Sequence, residues 1–314
     1  MGNPYPCEVT PSNTKIGWIG IGVMGSAMAA RLLSEGYSLT IYARNPSKAN
    51  SLVNLGAQLC TSPAELAKSC NIIFTMLGHP QDVRQIVLTK DTGILSGLTT
   101  NGVIVDHTSS HPELAKEIFA AANEKNCWAV DAPVSGGDIG ARNGNLAIFA
   151  GGEKKIVDWL LPLFEIMGSK VGYMGNAGSG QSCKIANQIV VGANLMGLSE
   201  GLVFAEKAGL DKSRWVEAVR GGAAGSMVME LFGKRMIDRD FKAGGFAEYM
   251  VKDMGMGVDF VEGPKKKDDE NEVVIVMPGA SMVKQLFSGM VANGDGKLGT
   301  QGLITVLERI NGVV

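Results

Sequence analysis

The stretch that most constrains this chain lies near its N-terminus: "KIGWIGIGVMGSAMAARLLSEG", residues 15–36. Its opening "KIGWIG" (15–20) is a short, β-branched apolar run that reads as a strand. "VMGSAMAARLLSEG" (23–36) has helical spacing and stops at Gly36. Between them Gly20, Gly22 and Gly25 fit GxGxxG. In a strand–turn–helix context each glycine has its own task. The first permits the tight turn, the second lets the backbone approach a pyrophosphate, and the third lets the helix pack on the strand. The helix N-terminus then favours the anion. The stretch predicts a dinucleotide held by Gly20, Gly22, Val23, Met24 and Gly25.

More strands follow at regular intervals: "SLTIYA" (38–43), "NIIFTML" (71–77), "GVIVD" (102–106), "CWAVDAPV" (127–134), "LAIFAGG" (146–152) and "KVGYMG" (170–175). Helical stretches separate most of them. Such alternation predicts an α/β chain with a doubly wound, Rossmann-type parallel sheet. From about residue 179 helical periodicity takes over. We therefore expect a dinucleotide-binding domain over 1–175 and an all-helical domain over 176–314. "VVIVM" (273–277) reads as a helix face or a short strand, and "EGPKKKDDENE" (262–272) as a solvated loop.

With 314 residues the chain has room for two such domains. The net charge of −2, from 29 basic and 31 acidic residues, leaves no electrostatic footprint for nucleic acid or an anionic membrane. Purely apolar runs are short against the roughly 20 residues of a membrane span, so none is expected. The five cysteines form no CxxC and no Cys/His cluster, which reads as reduced thiols and no metal site. "MGNPYPCEVTPSNTK" has neither the apolar core of a signal peptide nor the arginines of a transit peptide. A cytoplasmic location is the expectation, or a mitochondrial or other organelle if a leader has been trimmed.

The end of the second strand selects the dinucleotide. An acid there would accept hydrogen bonds from the ribose 2′-OH of NAD. The sequence instead reads "YARNPSK", with Arg44, Asn45, Ser47 and Lys48 as donors, two of them cations. These suit a 2′-phosphate, so NADP is expected, with NAD as the alternative. A plain pair of surface charges is the competing reading of Arg44 and Lys48. Ligands of doubly wound sheets lie beyond the carboxyl ends of the strands. That adds "LGHP" (77–80) and "HTSSH" (107–111), from which Leu77, Gly78, Thr108 and Ser109 join the cofactor set, with Asp82 just beyond. All three histidines lie in these loops. His79 and His111 precede prolines, a turn arrangement, and no histidine is taken as the catalytic acid.

Two further motifs carry chemistry. In "PVSGG", Ser135, Gly136 and Gly137 follow a strand; their backbone N–H groups and one hydroxyl can form a nest for a carboxylate, against the alternative of a plain turn. In "GNAGSGQSCKIANQIVVGANLMGLSE" (175–200) a glycine run enters a helical stretch in which no cation follows Lys184 until Lys207. A phosphate loop fails on inspection, because Gln181 stands where such a loop needs lysine. Lys184, Asn187 and Gln188 share one helix face. A catalytic lysine and a buried structural ion pair both remain open.

Four segments in order, "IGWIGIGVMGSAMAARLLSEGY", "DAPVSGGDIGARNGNLAIFAGG", "GNAGSGQSCKIANQ" and "FAEYMVKDMGMGVDF", resemble the β-hydroxyacid dehydrogenase family from about residue 15 to 310. The plant 3-hydroxyisobutyrate dehydrogenase-like proteins are the nearest group. The resemblance implies hydride transfer between a nicotinamide cofactor and a small β-hydroxyacid or its semialdehyde. It gives the proton to Lys184, the substrate carboxylate to Ser135, Gly136 and Gly137, a substrate hydrogen bond to Asn187, and a cofactor contact to Lys252. It also implies a homodimer or homotetramer built on the helical domain. Members that degrade valine often carry an acid after the second strand. The cationic loop here is shared instead with glyoxylate and succinic semialdehyde reductases, which makes an NADPH-dependent reductase the alternative. Imine reduction uses the same architecture but usually replaces the lysine. A non-enzymatic dinucleotide sensor would not need a proton donor. Met229, Leu231 and Phe232 are candidates for substrate side-chain contacts, or core.

Overall fold

The computed structural model describes residues 8–262 and 275–313. The predicted strands form as β1 (Lys15–Ile19), β2 (Ser38–Tyr42), β4 (Ile72–Thr75), β5 (Val103–Asp106), β6 (Trp128–Asp131), β8 (Leu146–Gly151) and β9 (Gly168–Gly175). Two short strands join them, β3 (Gln58–Cys60) and β7 (Val134–Ser135). "CWAVDAPV" is thus two strands, β6 and β7, with Ala132 and Pro133 between them. The sheet order is β3-β2-β1-β4-β5-β6-β8-β7, with β9 beside β8.

From β3 through β6 every pairing is parallel, as the strand–helix alternation requires. The far edge departs from the expected all-parallel sheet, because β8 runs antiparallel to β6 and β7. The physical reason is the length of the connection. Only residues 136–145 join β7 to β8, and a parallel return needs a crossover of a dozen residues or more.

Side chains alternate between the two faces of the sheet. On one face Ile16, Trp18, Ile72, Phe74, Val103 and Val105 pack with Met28 and Leu32 of the helix Val23–Ser34. On the other, Ile19, Ile73 and Ile104 pack with Leu66, Val83 and Ile118. Both faces are covered, so the central strands are buried along almost their whole length.

The fold divides into two compact units, 1–184 and 185–314, and the division falls inside one continuous helix, Ser179–Lys207. That helix is long and apolar enough to cross a membrane, by length and composition only. The sequence's purely apolar runs are short and point to no membrane span, but the helix as a whole meets the length and composition test because small and polar residues are interspersed through it. Its Leu195, Leu198 and Leu202 instead enter the core of the second unit with Met250, Met254, Val283 and Phe287. The second unit is helical: Lys212–Val219, Met227–Ile237, Ala247–Glu262, Pro278–Ala292 and Ile304–Ile310. Of "VVIVM", residues 273–274 lie outside the described residues, and Ile275–Met277 are neither helix nor strand. The acidic-basic stretch beyond Glu262 also lies outside them.

Candidate active site

The turn after β1 has the shape its three glycines predict. Gly20 adopts φ +99°, a left-handed value, and a Cβ there would lie 2.2 Å from Met76 O. A Cβ on Gly25 would lie 1.9 Å from Gly20 O, so the helix sits against the turn only because Gly25 has none. Trp18 Nε1 donates to Gly20 O at 3.0 Å and holds the turn from below. Gly22 differs: nothing lies within 4 Å of its Cβ position. It is also the N-cap of the helix Val23–Ser34, with no side chain capping the first turn. Bare helix N–H groups beside an open glycine fit a dinucleotide pyrophosphate.

Beyond β2, Asn45 caps the 3-10 turn Pro46–Ala49, accepting from Ser47 N at 3.1 Å and Ser47 Oγ at 2.8 Å. Arg44 and Lys48 are exposed. Arg44 Nη1 lies 3.2 Å from Asp82 Oδ1, which brings two members of the predicted cofactor set together. The Arg44 side chain is 73% exposed, so this pair contributes little and can exchange for a stronger anion.

The strand ends and loops after β4 and β5 are joined by hydrogen bonds. Leu77 N donates to Thr108 Oγ1 at 2.8 Å. Thr108 N donates to Asp106 Oδ1 at 3.0 Å, and Thr75 Oγ1 donates to the same oxygen at 2.7 Å. The neighbouring strand ends in a second buried acid, Asp131, paired in register with Asp106. Asp131 reaches the helix that carries Lys184. Its Oδ1 accepts from Gly178 N and its Oδ2 from Gln181 N, both at 2.8 Å. Burial pushes the Asp131 carboxyl up to about 7 against the pull of these N–H groups, and the Asp106 charge adds to the rise.

Close approach at this junction depends on glycine. A Cβ on Gly180 would lie 2.3 Å from Phe149 O and 2.5 Å from Asp131 O. One on Gly151 would lie 2.7 Å from Asp131 Oδ1 and from Gly180 N. Gly175 and Gly178 take φ +129° and +88° to turn the chain into the helix. Lys184 then follows on the same helix and is buried. Sequence reasoning missed Asp131 and Gln181; the latter figured only as the residue that spoils a phosphate loop. The available signal was an acid closing an apolar strand ("AVD") together with a glycine-led helix that needs a cap.

Gly136 and Gly137, after Ser135 of β7, adopt φ +132° and +63° and are exposed, so this turn is closed to residues with a Cβ. Gly137 has nothing within 4 Å of its Cβ position. Two of the three histidines have structural partners, His107 and His111. His107 is fully buried, stacked on Phe74 with centroids 5.3 Å apart, with Nδ1 2.6 Å from Ala132 O; burial lowers it to about 4. His111 caps the helix Pro112–Asn123 by accepting from Glu113 N, and His79 is the N-cap of Pro80–Leu88. In the second unit, Asn187 Nδ2 donates to Gln188 Oε1 at 3.0 Å, and Gln188 Nε2 donates to Asp253 Oδ2 at 2.9 Å. Asp253 also pairs with Lys252 at 3.2 Å, and the Lys252 ammonium sits over the Tyr249 ring. Met229 is core and Phe232 packs against it, whereas Leu231 is exposed. Among the described residues, no group of three or more His, Cys, Asp or Glu could hold a metal ion.

Comparison with known proteins places the chain in a family. Residues 15–175 match the NAD binding domain of 6-phosphogluconate dehydrogenase, and residues 178–307 match the NAD-binding domain of NADP-dependent 3-hydroxyisobutyrate dehydrogenase. An Arabidopsis thaliana protein, "Probable 3-hydroxyisobutyrate dehydrogenase-like 3, mitochondrial", is 56% identical over 100% of this chain and 93% of its own length. The 2-hydroxy-3-oxopropionate reductase of Escherichia coli is 35% identical over 94% of this chain and 97% of its own. A structure of Mycobacterium tuberculosis 3-hydroxyisobutyrate dehydrogenase with L-serine superposes with a TM-score of 0.82 at 25% identity, covering 94% of this chain and 99% of that one. The protein is an NAD(P)-dependent oxidoreductase acting on CH–OH groups. The chain belongs to the β-hydroxyacid dehydrogenase family, in its 3-hydroxyisobutyrate dehydrogenase-like group.

Proposed function

We propose that this chain interconverts a small β-hydroxyacid and its semialdehyde with NADP(H), and that Lys184 handles the proton. One observation carries the reading. Lys184 is a buried cation in the first turns of a helix whose start is bonded to the strand ends where a nucleotide-binding sheet holds its ligand. A bound nicotinamide would supply the hydride chemistry, exchanging a hydride with the hydroxyl-bearing carbon. In oxidation neutral Lys184 Nζ takes the hydroxyl proton. In reduction its ammonium returns that proton and stabilises charge growing on the oxygen. Ser135 and the N–H groups of Gly136 and Gly137 hold the substrate carboxylate, and Asn187 hydrogen-bonds the substrate.

On the cofactor side, Gly20, Gly22, Val23, Met24 and Gly25 cradle the pyrophosphate. Leu77, Gly78, Thr108, Ser109 and Lys252 contact the rest of the dinucleotide. Arg44 leaves Asp82 to pair with a 2′-phosphate beside Asn45, Ser47 and Lys48, which sets the preference for NADP over NAD. By family analogy the chain forms a homodimer or homotetramer, measurable by light scattering. The mitochondrial designation of its Arabidopsis relative makes that compartment the first to test.

The deciding experiment is steady-state kinetics with 3-hydroxyisobutyrate, glyoxylate and succinic semialdehyde, each with both nicotinamide cofactors. A higher kcat/KM with NADP(H) is expected, and equal values with NAD(H) would sink the preference. Lys184→Ala should lower kcat by about 10² to 10⁴-fold. A variant retaining half of wild-type kcat would remove Lys184 from the chemistry.

A further inference from the structure

We infer that Gln181 and Asp131 are positioning residues that lock the Lys184 helix to the loops after β4 and β5. The inference rests on the proposed role of Lys184. Gln181 is completely buried, three residues before Lys184 on the same helix. Every polar atom of its side-chain amide is used. Oε1 accepts from Ser110 N at 2.8 Å, and Nε2 donates to Thr108 O at 2.7 Å. Its backbone N–H goes to Asp131. Thr108 in turn accepts from Leu77 N through its hydroxyl. A continuous chain of hydrogen bonds therefore runs from the end of β4, through the loop after β5, into the turn that precedes Lys184.

The fork of an amide suits this place for a reason of donor count. One end must accept from a backbone N–H and the other must donate to a backbone carbonyl. A carboxylate lacks the donor, and an apolar side chain of the same length lacks both. Asp131 works from the opposite side, with one oxygen for Gly178 N and the other for Gln181 N. Rotating or sliding the helix would leave several buried polar groups without partners, which is strongly unfavourable. Lys184, less than one turn further on, inherits that rigidity. Displacement of a reacting group by about 1 Å can cost around 10²-fold in rate.

The test compares Gln181→Met, which keeps length and loses both side-chain bonds, with Asp131→Asn, which keeps volume and one acceptor. Each is measured for kcat, KM of the hydroxyacid, NADPH Kd by fluorescence titration, and Tm, with Lys184→Ala alongside. Gln181→Met should lower kcat by roughly 10- to 100-fold while KM and Kd stay within about threefold. Asp131→Asn should show the same split with a smaller loss, and it decides the matter if Gln181→Met does not fold. A folded variant with kcat within threefold of wild type overturns the inference. So does a loss that appears equally in KM, Kd and Tm, because that is general destabilisation. If Lys184→Ala stays active, the reading of Lys184 itself falls. If Lys184→Ala is impaired while both network variants are not, only the positioning inference falls.

Discussion

Replacing Gly180 by alanine probes the junction that carries Lys184. Its Cβ would lie 2.3 Å from Phe149 O, 2.5 Å from Asp131 O and 2.9 Å from Asp131 Oδ2. Two of these neighbours are backbone oxygens of the sheet, which cannot rotate away. Ordinary contact begins near 3.4 Å, so the helix start must retreat by about 1 Å, a displacement that can itself cost roughly 10²-fold in rate at a reacting group. Overpacking of this kind costs about 1–3 kcal/mol, and the higher helix propensity of alanine offsets at most about 1 kcal/mol. At roughly 2–4 °C per kcal/mol, Tm should fall by only a few degrees. The rate should fall further than the stability, by about 10²-fold in kcat, because the retreat carries Lys184 four residues along the same helix. The assay is steady-state reduction of a semialdehyde followed by NADPH absorbance, beside a thermal melt and an NADPH titration. A variant with wild-type Tm and kcat would refute the claim that this contact sets the helix position. A variant with lowered Tm and unchanged kcat would refute the claim that Lys184 depends on it.

Other outcomes follow from the same geometry. Arg44→Ser should raise KM for NADPH by about 10- to 100-fold, the loss of one charged hydrogen bond, and leave KM for NADH nearly unchanged; equal effects on both would reduce Arg44 to a surface charge. Stability against pH should show two opposed contributions. His107, at about 4 when folded, is neutral in the fold and takes up a proton on unfolding below 6.5, so its contribution of roughly 3 kcal/mol is lost as pH falls from 6.5 towards 4. Asp131, at about 7 when folded, contributes most at low pH and loses roughly 4 kcal/mol as pH rises from 3.8 through 7. Denaturant melts from pH 4 to 8 should therefore find His107→Phe losing stability towards alkaline pH and Asp131→Asn losing it towards acid; parallel curves would contradict both. Gly197→Ala, with nothing within 4 Å of its Cβ, should raise Tm slightly through helix propensity. A fall in Tm would mean that this face is covered by another chain.

Much of the fold was legible because it is written in local patterns. The apolar runs of β1, β4 and β5 and the helical spacing after Gly22 are properties of neighbouring residues, and the structure keeps them within a residue or three. β3 escaped notice because it is three residues long and largely exposed, so it has no apolar signature. The antiparallel turn of β8 escaped because partner choice depends on the length of a connection, not on the composition of a strand. At the candidate site, the glycines and Lys184 stood out as residue types. Asp131 and Gln181 did not, since their meaning lies in partners 47 to 73 residues away.

By itself, then, the sequence determined the alternating strands and helices, the glycine turn after β1, and a small set of candidate residues for the proposed chemistry. Those features depend on side-chain periodicity and on which positions tolerate a left-handed backbone, both local. Tertiary structure alone decided that Asp106 and Asp131 end adjacent strands, that Gln181 meets Thr108 and Ser110, and that Lys184 is buried. The physical reason is that a hydrogen bond or a desolvated charge is a property of what folding brings within about 3 Å, and a chain read in order does not contain that distance.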